Sequence, residues 1–440
     1  MNRFSPFEQS LWFATAEPPP QTQLLEEKVQ ADVCVVGAGY TGLTTALELA
    51  RKGVSVVLLE AQQAGFGGSG RNAGHCTPTF AYYDLPALRR MLGEPWASRL
   101  IERQTRANDR VSAMVNAYQI RCEWQQNGYA MGAFTPAGIP ALRRKAREYN
   151  EAGARTRFVE RDEIAAITGS SRYFGGWFHE EGGHLNPLGY ARGLARAAMQ
   201  EGVRFYTGST VTSVERLGDR WAVQTKKGRV LAEKVIFATG AYTVQGWPKL
   251  EKTFHILRVF VAATQPLSET ERRGVLPLNT TMHDGRDDFF VYKYNAEGRI
   301  VASMMPMGRR GGDPAHTREV MTARLKWLHP QIRSDLRWEY LWFGELDMQR
   351  KTTPRLYGLA PGVVALTGLS GRGVPTGSML GGILSEWALD VPERDLSLRV
   401  EKLRPAPLYM KYTPHAVLRW HRAMDWLRER RSGVSSPPFA

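Results

Sequence analysis

Val33-Cys34-Val35-Val36-Gly37-Ala38-Gly39-Tyr40-Thr41-Gly42 is the stretch that decides the fold. A short apolar, β-branched run reads as a strand buried on both faces. After the glycines, Leu43, Ala46, Leu47 and Ala50 recur at helical spacing, and Gly53 stops the helix. Val54 to Leu59 is a second buried run, ending at Glu60. Strand, helix and strand within residues 31–60 predict a right-handed parallel unit. A GxGxxG alone is weak, but here each part has its duty. Gly37 permits the tight turn, Gly39 lets a pyrophosphate approach the backbone, and Gly42 lets helix and strand pack closely. The helix N-terminus offers free N–H groups to phosphates. Glu60 is placed to accept from both ribose hydroxyls, which disfavours a 2′-phosphate. The unit is predicted to bind a dinucleotide.

Working outward, Gly65-Phe66-Gly67-Gly68-Ser69-Gly70-Arg71-Asn72-Ala73-Gly74 follows the second strand. Residues 81–155 read as mainly helical. Residues 203–240 read as an antiparallel meander, with Val211, Val214, Trp221, Val223 and Val230 alternating with polar residues, and end in the buried run Lys234–Gly240. Strand-like texture returns over 254–305, a helix is expected over 317–328, and Gly362–Leu366 is a further buried strand. A nicotinamide enzyme would continue with regular strand–helix alternation. A glycine-dense loop, a helical insertion and a meander instead fit an extended cofactor whose far end lies beneath residues 65–76, which points to FAD. Gly371-Arg372-Gly373-Val374-Pro375-Thr376-Gly377 also opens a helix and could pass for an NADPH motif, but no buried strand or ribose-binding acid follows it. Its preferred role is to aim a helix N-terminus at the flavin pyrimidine.

The 440 residues leave room for two domains. A hydrophobic share of 43 % with 23 % charged residues excludes disorder and fibrous classes. Three cysteines without metal or redox spacing, and an opening without an apolar signal core, lead to an expected cytoplasmic location. No metal site is expected. The net charge of +15 admits nucleic acid, anionic lipid or an anionic substrate as partner. A nucleic-acid-binding, RNA-modifying flavoprotein would need a basic stripe with interleaved aromatics, and none is concentrated outside the tail, so no nucleic-acid partner is expected. In that tail, Val417, Trp420, Met424 and Leu427 share one helical face. The helix is expected to dock on its own protein, with peripheral membrane contact as the alternative.

The motif at residues 33–42, Glu60 and above all Gly65–Gly74 resemble the D-amino-acid oxidase (DAO) family of flavoproteins, nearest its gamma-glutamylputrescine oxidase branch. The resemblance continues through Gly182-Gly183-His184-Leu185-Asn186-Pro187, Ile236–Tyr242, Trp342-Phe343-Gly344 and Gly368–Val374. It implies an α/β chain with an FAD-binding Rossmann-type (glutathione-reductase-like) domain and a discontinuous α+β substrate domain on a mixed sheet. The expected division is an extended lead-in over 1–30, the FAD domain over 31–80, 155–250 and 345–395, the substrate domain over 81–154 and 251–344, and the basic tail over 396–440. Carried over, Gly37, Gly39, Tyr40, Thr41, Gly42, Glu60 and Ala61 match the adenosine and pyrophosphate site. Gly68, Ser69, Gly70, Arg71, Asn72, Ala73 and Gly74 match the segment beside the ribityl chain and ring. Val211 matches the adenine contact, with Ala238, Thr239 and Gly240 closing the pocket nearby. Gly371, Arg372, Gly373 and Val374 match the loop at the pyrimidine edge. Relatives commonly carry histidine where this chain has Arg372, and a glycine cluster where it has Ala302–Met305. Residues 345–361 lack the cysteine that tethers flavin in some relatives, so non-covalent FAD is expected.

The resemblance implies oxidation of a carbon–nitrogen bond in an amine or amino acid: hydride passes to flavin N5, water hydrolyses the imine, and oxygen reoxidises the flavin to give hydrogen peroxide. A quinone-linked dehydrogenase is the alternative. A cation near the ring would depress the amine pKa and favour reoxidation, and Lys293, Arg299 and Arg372 are the candidates. Convergent cations would suit an anionic amino compound. His75, Cys76 and His184 read as loop packing, and Tyr292, Tyr294, Trp342 and Phe343 as core or pocket lining.

Overall fold

The computed structural model describes residues 7–80, 83–243, 246–306, 310, 312–349, 351–411 and 413–439. Two sheets organise it. The first has nine strands, in the order 400–402, 355–360, 363–367, 229–237, 28–36, 56–59 and 204–206, with 213–217 and 220–224 appended as a hairpin. At its centre Lys28–Val36 lies parallel to both Val56–Leu59 and Arg229–Phe237. Val33, Cys34, Val35 and Val36 are all buried, as an apolar run without alternation demands. Strand 229–237 forks: its first half pairs with 220–224 and its second half with 363–367.

The helices Tyr40–Ala50, Pro187–Gln200 and Val374–Ala388 cover one face of this sheet. Close approach of the first and last depends on glycine: a Cβ on Gly381 would stand 2.8 Å from the Thr41 carbonyl oxygen.

The second sheet has eight strands, in the order 338–348, 255–266, 299–304, 290–294, 281–283, 129–132, 175–179 and 156–160. All neighbours are antiparallel except 281–283 with 129–132, so the sheet is mixed.

The expected domain boundaries shift in three places. Strands 156–160 and 175–179, assigned from sequence to the FAD domain, pair into the second sheet. The helices between 85 and 117, assigned to the substrate domain, bury Leu88, Leu100 and Val111 in the core beneath the first sheet's helices. Both belong where non-local pairing puts them, which texture along the chain does not reveal. The third shift is at the amino terminus. Within the lead-in, Leu11–Thr15 is helical, capped by Ser10, and Phe7, Leu11 and Trp12 are fully buried. Trp12 Nε1 donates to the Asn72 carbonyl at 2.8 Å and its ring meets Trp342 edge-on at 5.9 Å. Trp342 Nε1 donates to the Arg71 carbonyl, also at 2.8 Å. The lead-in is a wedge beneath the glycine-dense loop, worth about 1 kcal/mol for the ring pair beyond its burial.

The tail helix, Thr413–Arg431, lies against residues 284–306 of the second domain. It does not use the face expected from sequence: Leu418, Asp425 and Glu429 are buried, whereas Val417, Trp420 and Leu427 are exposed.

Candidate active site

An elongated cleft runs along the carboxyl ends of the central strands, with about 1320 Å³ of empty space including its open mouth. Gly37, Gly39, Tyr40, Thr41, Glu60 and Ala61 line it at one end. Gly68, Ser69, Asn72, Val211, Ala238, Thr239 and Gly240 follow, and Gly371, Arg372 and Gly373 complete it. The two glycine motifs thus serve one cleft, which removes any need for a second nucleotide site at 371–377.

Local chemistry explains each part. Gly37 sits at φ +104°, and a Cβ on Gly42 would stand 1.9 Å from the Gly37 carbonyl oxygen. The helices Tyr40–Ala50 and Val374–Ala388 both begin at glycine N-caps, Gly39 and Gly373, without a side-chain cap. Tyr40 N donates to Ser69 Oγ at 3.0 Å, and the remaining terminal N–H groups and the positive dipole ends face the cleft. Glu60 accepts from the Ala38 and Gln62 amides at 2.8 and 2.9 Å, and burial raises its pKa. Asn72 ties the glycine-dense loop: Nδ2 donates to the Ser69 carbonyl at 2.8 Å, and Oδ1 accepts from Gly74 N at 2.8 Å. An acid at the strand end, a glycine cradle and two uncapped helix N-termini fit the ribose, pyrophosphate and ring of FAD.

Other expected site residues stand outside the cleft lining. Gly42 packs the first helix under Gly37, and a Cβ on Gly70 would stand 2.4 Å from the Gly65 carbonyl oxygen, so both serve the backbone. Ala73 and Val374 are buried in cores behind the cleft. Arg71 turns away: its guanidinium lies 4.9 and 4.8 Å from the Phe7 and Phe66 rings, and Nε donates to the Phe66 carbonyl. It lies outside the cleft lining. Arg299 is also misplaced by the sequence reading. It pairs with Glu297 and Glu339 and donates to the Thr264 carbonyl, a turn-bracing role at the start of strand 299–304. Alternation along a strand could not show that its neighbours there are acids.

Beyond the loop lie several buried nitrogen bases. Gly74 lies next to Lys293, since a Cβ there would stand 3.0 Å from Lys293 Cε. Lys293 is fully buried, donates to the Tyr294 carbonyl at 3.2 Å and lies 5.0 Å from the Trp12 ring. Burial depresses its pKa to about 8. Burial, with help from Lys293, holds His75 well below the usual histidine range, and its ring nitrogens have no hydrogen-bond partner among the described residues. His184 pairs with His75 across a two-residue ladder and its Nε2 lies 3.1 Å from the Asn279 carbonyl. Burial and then Arg372 lower Lys145 to about 8. Arg372 donates to the Thr352 carbonyl from both terminal nitrogens at 3.2 Å and stacks on Phe80.

Sequence reasoning missed Asp347 and Glu345, which also line the cleft. Asp347 accepts from the amides of Gly368 and Ser370 at 2.5 and 3.2 Å, fixing the loop before the second helix and holding Ser370 at φ +51°. Burial raises its pKa. The available signal was two acids alternating within the second half of a largely apolar strand, Glu345-Leu346-Asp347.

The sequence profile of the DAO family, described as FAD dependent oxidoreductase, matches residues 32–387. The chain belongs to that family and is an FAD-dependent oxidoreductase enzyme. It is 31 % identical over 389 residues to a probable oxidoreductase OrdL of Haemophilus influenzae, covering 86 % of each chain. It is 29 % identical to the gamma-glutamylputrescine oxidoreductase of Escherichia coli, covering 86 % of this chain and 88 % of that one. Among solved structures, an L-amino acid deaminase from Proteus vulgaris superposes with a TM-score of 0.69 at 19 % identity, covering 86 % of this chain and 94 % of that one. Glycine oxidase from Geobacillus kaustophilus gives 0.67 at 16 %, covering 87 % and 98 %. These structures share the fold, a Rossmann-type FAD domain with a substrate domain.

Proposed function

We propose that the chain oxidises the carbon–nitrogen bond of a small amine or amino acid that also carries a negative charge. What supports the charge is Arg372, which lines the cleft and acts on Lys145, together with buried Lys293, which lies beside Gly74 and acts on His75. Relatives named for gamma-glutamylputrescine support an amine. When bound, FAD supplies the acceptor for the hydride that leaves the substrate carbon. Arg372 presents a bidentate donor to a carboxylate and orients the substrate. Lys293 Nζ, poised near pH 8, disfavours a protonated amine beside it and can hold or release a proton there. The uncapped N-terminus of Val374–Ala388 stabilises negative charge developing at its end of the cleft. Water hydrolyses the released imine, and dioxygen is the proposed final acceptor, leaving as hydrogen peroxide.

FAD is proposed to be held without a covalent bond: Cys34, Cys76 and Cys122 are buried away from the cleft lining. Free buried thiols also suit the reducing cytoplasm proposed as its location. No nucleic-acid partner is proposed.

Anaerobic mixing of the yellow holoenzyme with carboxylate-bearing amines, neutral amines and D- and L-amino acids tests this reading. Bleaching by a charged amine, with peroxide on admitting air, is expected. Bleaching by neutral amines alone would sink it. Acid precipitation is expected to free the colour into solution.

A further inference from the structure

We infer that the tail helix, Thr413–Arg431, is a surface anchor that binds anionic lipid bilayers through its outward face. This stands on the tail alone, whatever the substrate. The helix is amphipathic in the reverse sense. A helix docked by the hydrophobic effect turns its apolar stripe inward, yet here the inward face holds charges. Glu429 pairs with buried Arg286, the Asp425 carboxylate accepts from Asp288 N at 3.1 Å, and Arg422 Nε lies 3.1 Å from the Asp288 carboxylate. Leu418 adds one apolar contact, with Leu257 and Met305. Outward stand Val417, Trp420 and Leu427, with Trp420 64 % exposed. Six of the ten large apolar side chains exposed among the described residues fall between Tyr409 and Phe439.

Charge selects the occupant. Both acids of the helix point inward, so its exposed flanks carry Arg419, Arg430 and Arg431, with Arg428 paired to Asp287 and Asp425. A second copy would bring two arginine rims together, which like-charge repulsion disfavours. An anionic bilayer satisfies both features: the apolar stripe enters the acyl boundary, tryptophan sits at headgroup level, and arginines meet phosphates. The net charge of +15 adds long-range attraction. The helix lies outside the family-matched residues 32–387, so the family fold does not require it. Contact is peripheral, since no helix among the described residues is long and apolar enough to cross a membrane.

Flotation of the full-length yellow holoenzyme with vesicles tests the inference. With phosphatidylglycerol–phosphatidylcholine vesicles the protein is expected to float, and with phosphatidylcholine alone it is expected to stay behind. Salt near about 0.5 M, where exposed charges are screened, should release most of it. The double variant Trp420→Ser, Leu427→Ser should weaken binding about tenfold or more while keeping colour and melting temperature. Failure to float with anionic vesicles overturns the inference. So does undiminished flotation of the double variant, or a wild-type dimer that the variant turns into a monomer while neither floats.

Discussion

The two ends of the cleft are made of different materials. At the nucleotide end the working groups are backbone: amides at the Gly39 N-cap, with Glu60 the main side chain. At the other end they are side chains brought from distant parts of the chain: Asp347 and Arg372 line it, with Lys145 and Lys293 outside the lining. The first end functions by keeping carbon atoms out, so its tolerance is set by sterics. The second functions through charge held in a poorly hydrated space, so its behaviour follows protonation and substrate charge.

The sharpest way to break this contrast is Gly42→Ala. A Cβ 1.9 Å from the Gly37 carbonyl must displace the turn. The purified variant is expected to be colourless, with FAD affinity down about 100-fold or more in a flavin titration. A yellow variant would mean the backbone cradle is not what holds the nucleotide. Next comes Lys293→Met, expected to keep its colour but to lose about 100-fold in kcat, with the pH dependence near 8 gone from the rate profile. The same change has a thermodynamic signature. Because folding lowers the lysine pKa from 10.5 to about 8, the unfolded chain binds more protons between those values. Wild-type stability should therefore rise across that window, and the variant should lack the rise in melting curves.

Arg372→Ala sharpens the contrast on the substrate side. KM for a carboxylate-bearing amine should rise about thirtyfold, against a few-fold at most for a neutral amine. Equal effects would remove Arg372 from anion recognition. The smallest effect is expected for Arg299→Ala, about 1 kcal/mol or less in stability with steady-state kinetics unchanged. A large kinetic loss would extend the site to the acid-paired turn at Arg299, where the geometry does not put it.

Legibility in the sequence followed the range of each interaction. Gly37, Gly39, Gly42 and Glu60 act within one strand–helix–strand unit, so their spacing alone conveyed their roles. The loop at Gly371–Gly373 was legible for the same reason, a glycine turn opening a helix. Asp347 was not, because its role depends on which loop amides the second sheet's edge strand meets across the cleft. Arg71 and Arg299 share the opposite lesson: the residue type suggested chemistry, while the rings of Phe7 and Phe66 and the acids Glu297 and Glu339 had already engaged them. Lys293 lay between these cases, since an isolated lysine in an apolar strand is conspicuous but its neighbours are not. The tail helix was legible as amphipathic but not in its orientation, which ion pairs with Arg286 and Asp288 decide.

The amino-terminal wedge carries a consequence for biosynthesis. Trp12 is pinned by the carbonyl of residue 72 and by Trp342, so this segment finds its seat only after residue 342 has been made. A nascent chain ending before residue 373 has the phosphate-facing helix end at Gly39 but lacks the second helix end, at Gly373. Coenzyme capture therefore belongs to the completed polypeptide, and a bulky fusion placed directly ahead of Phe7 would compete with the seating of that wedge.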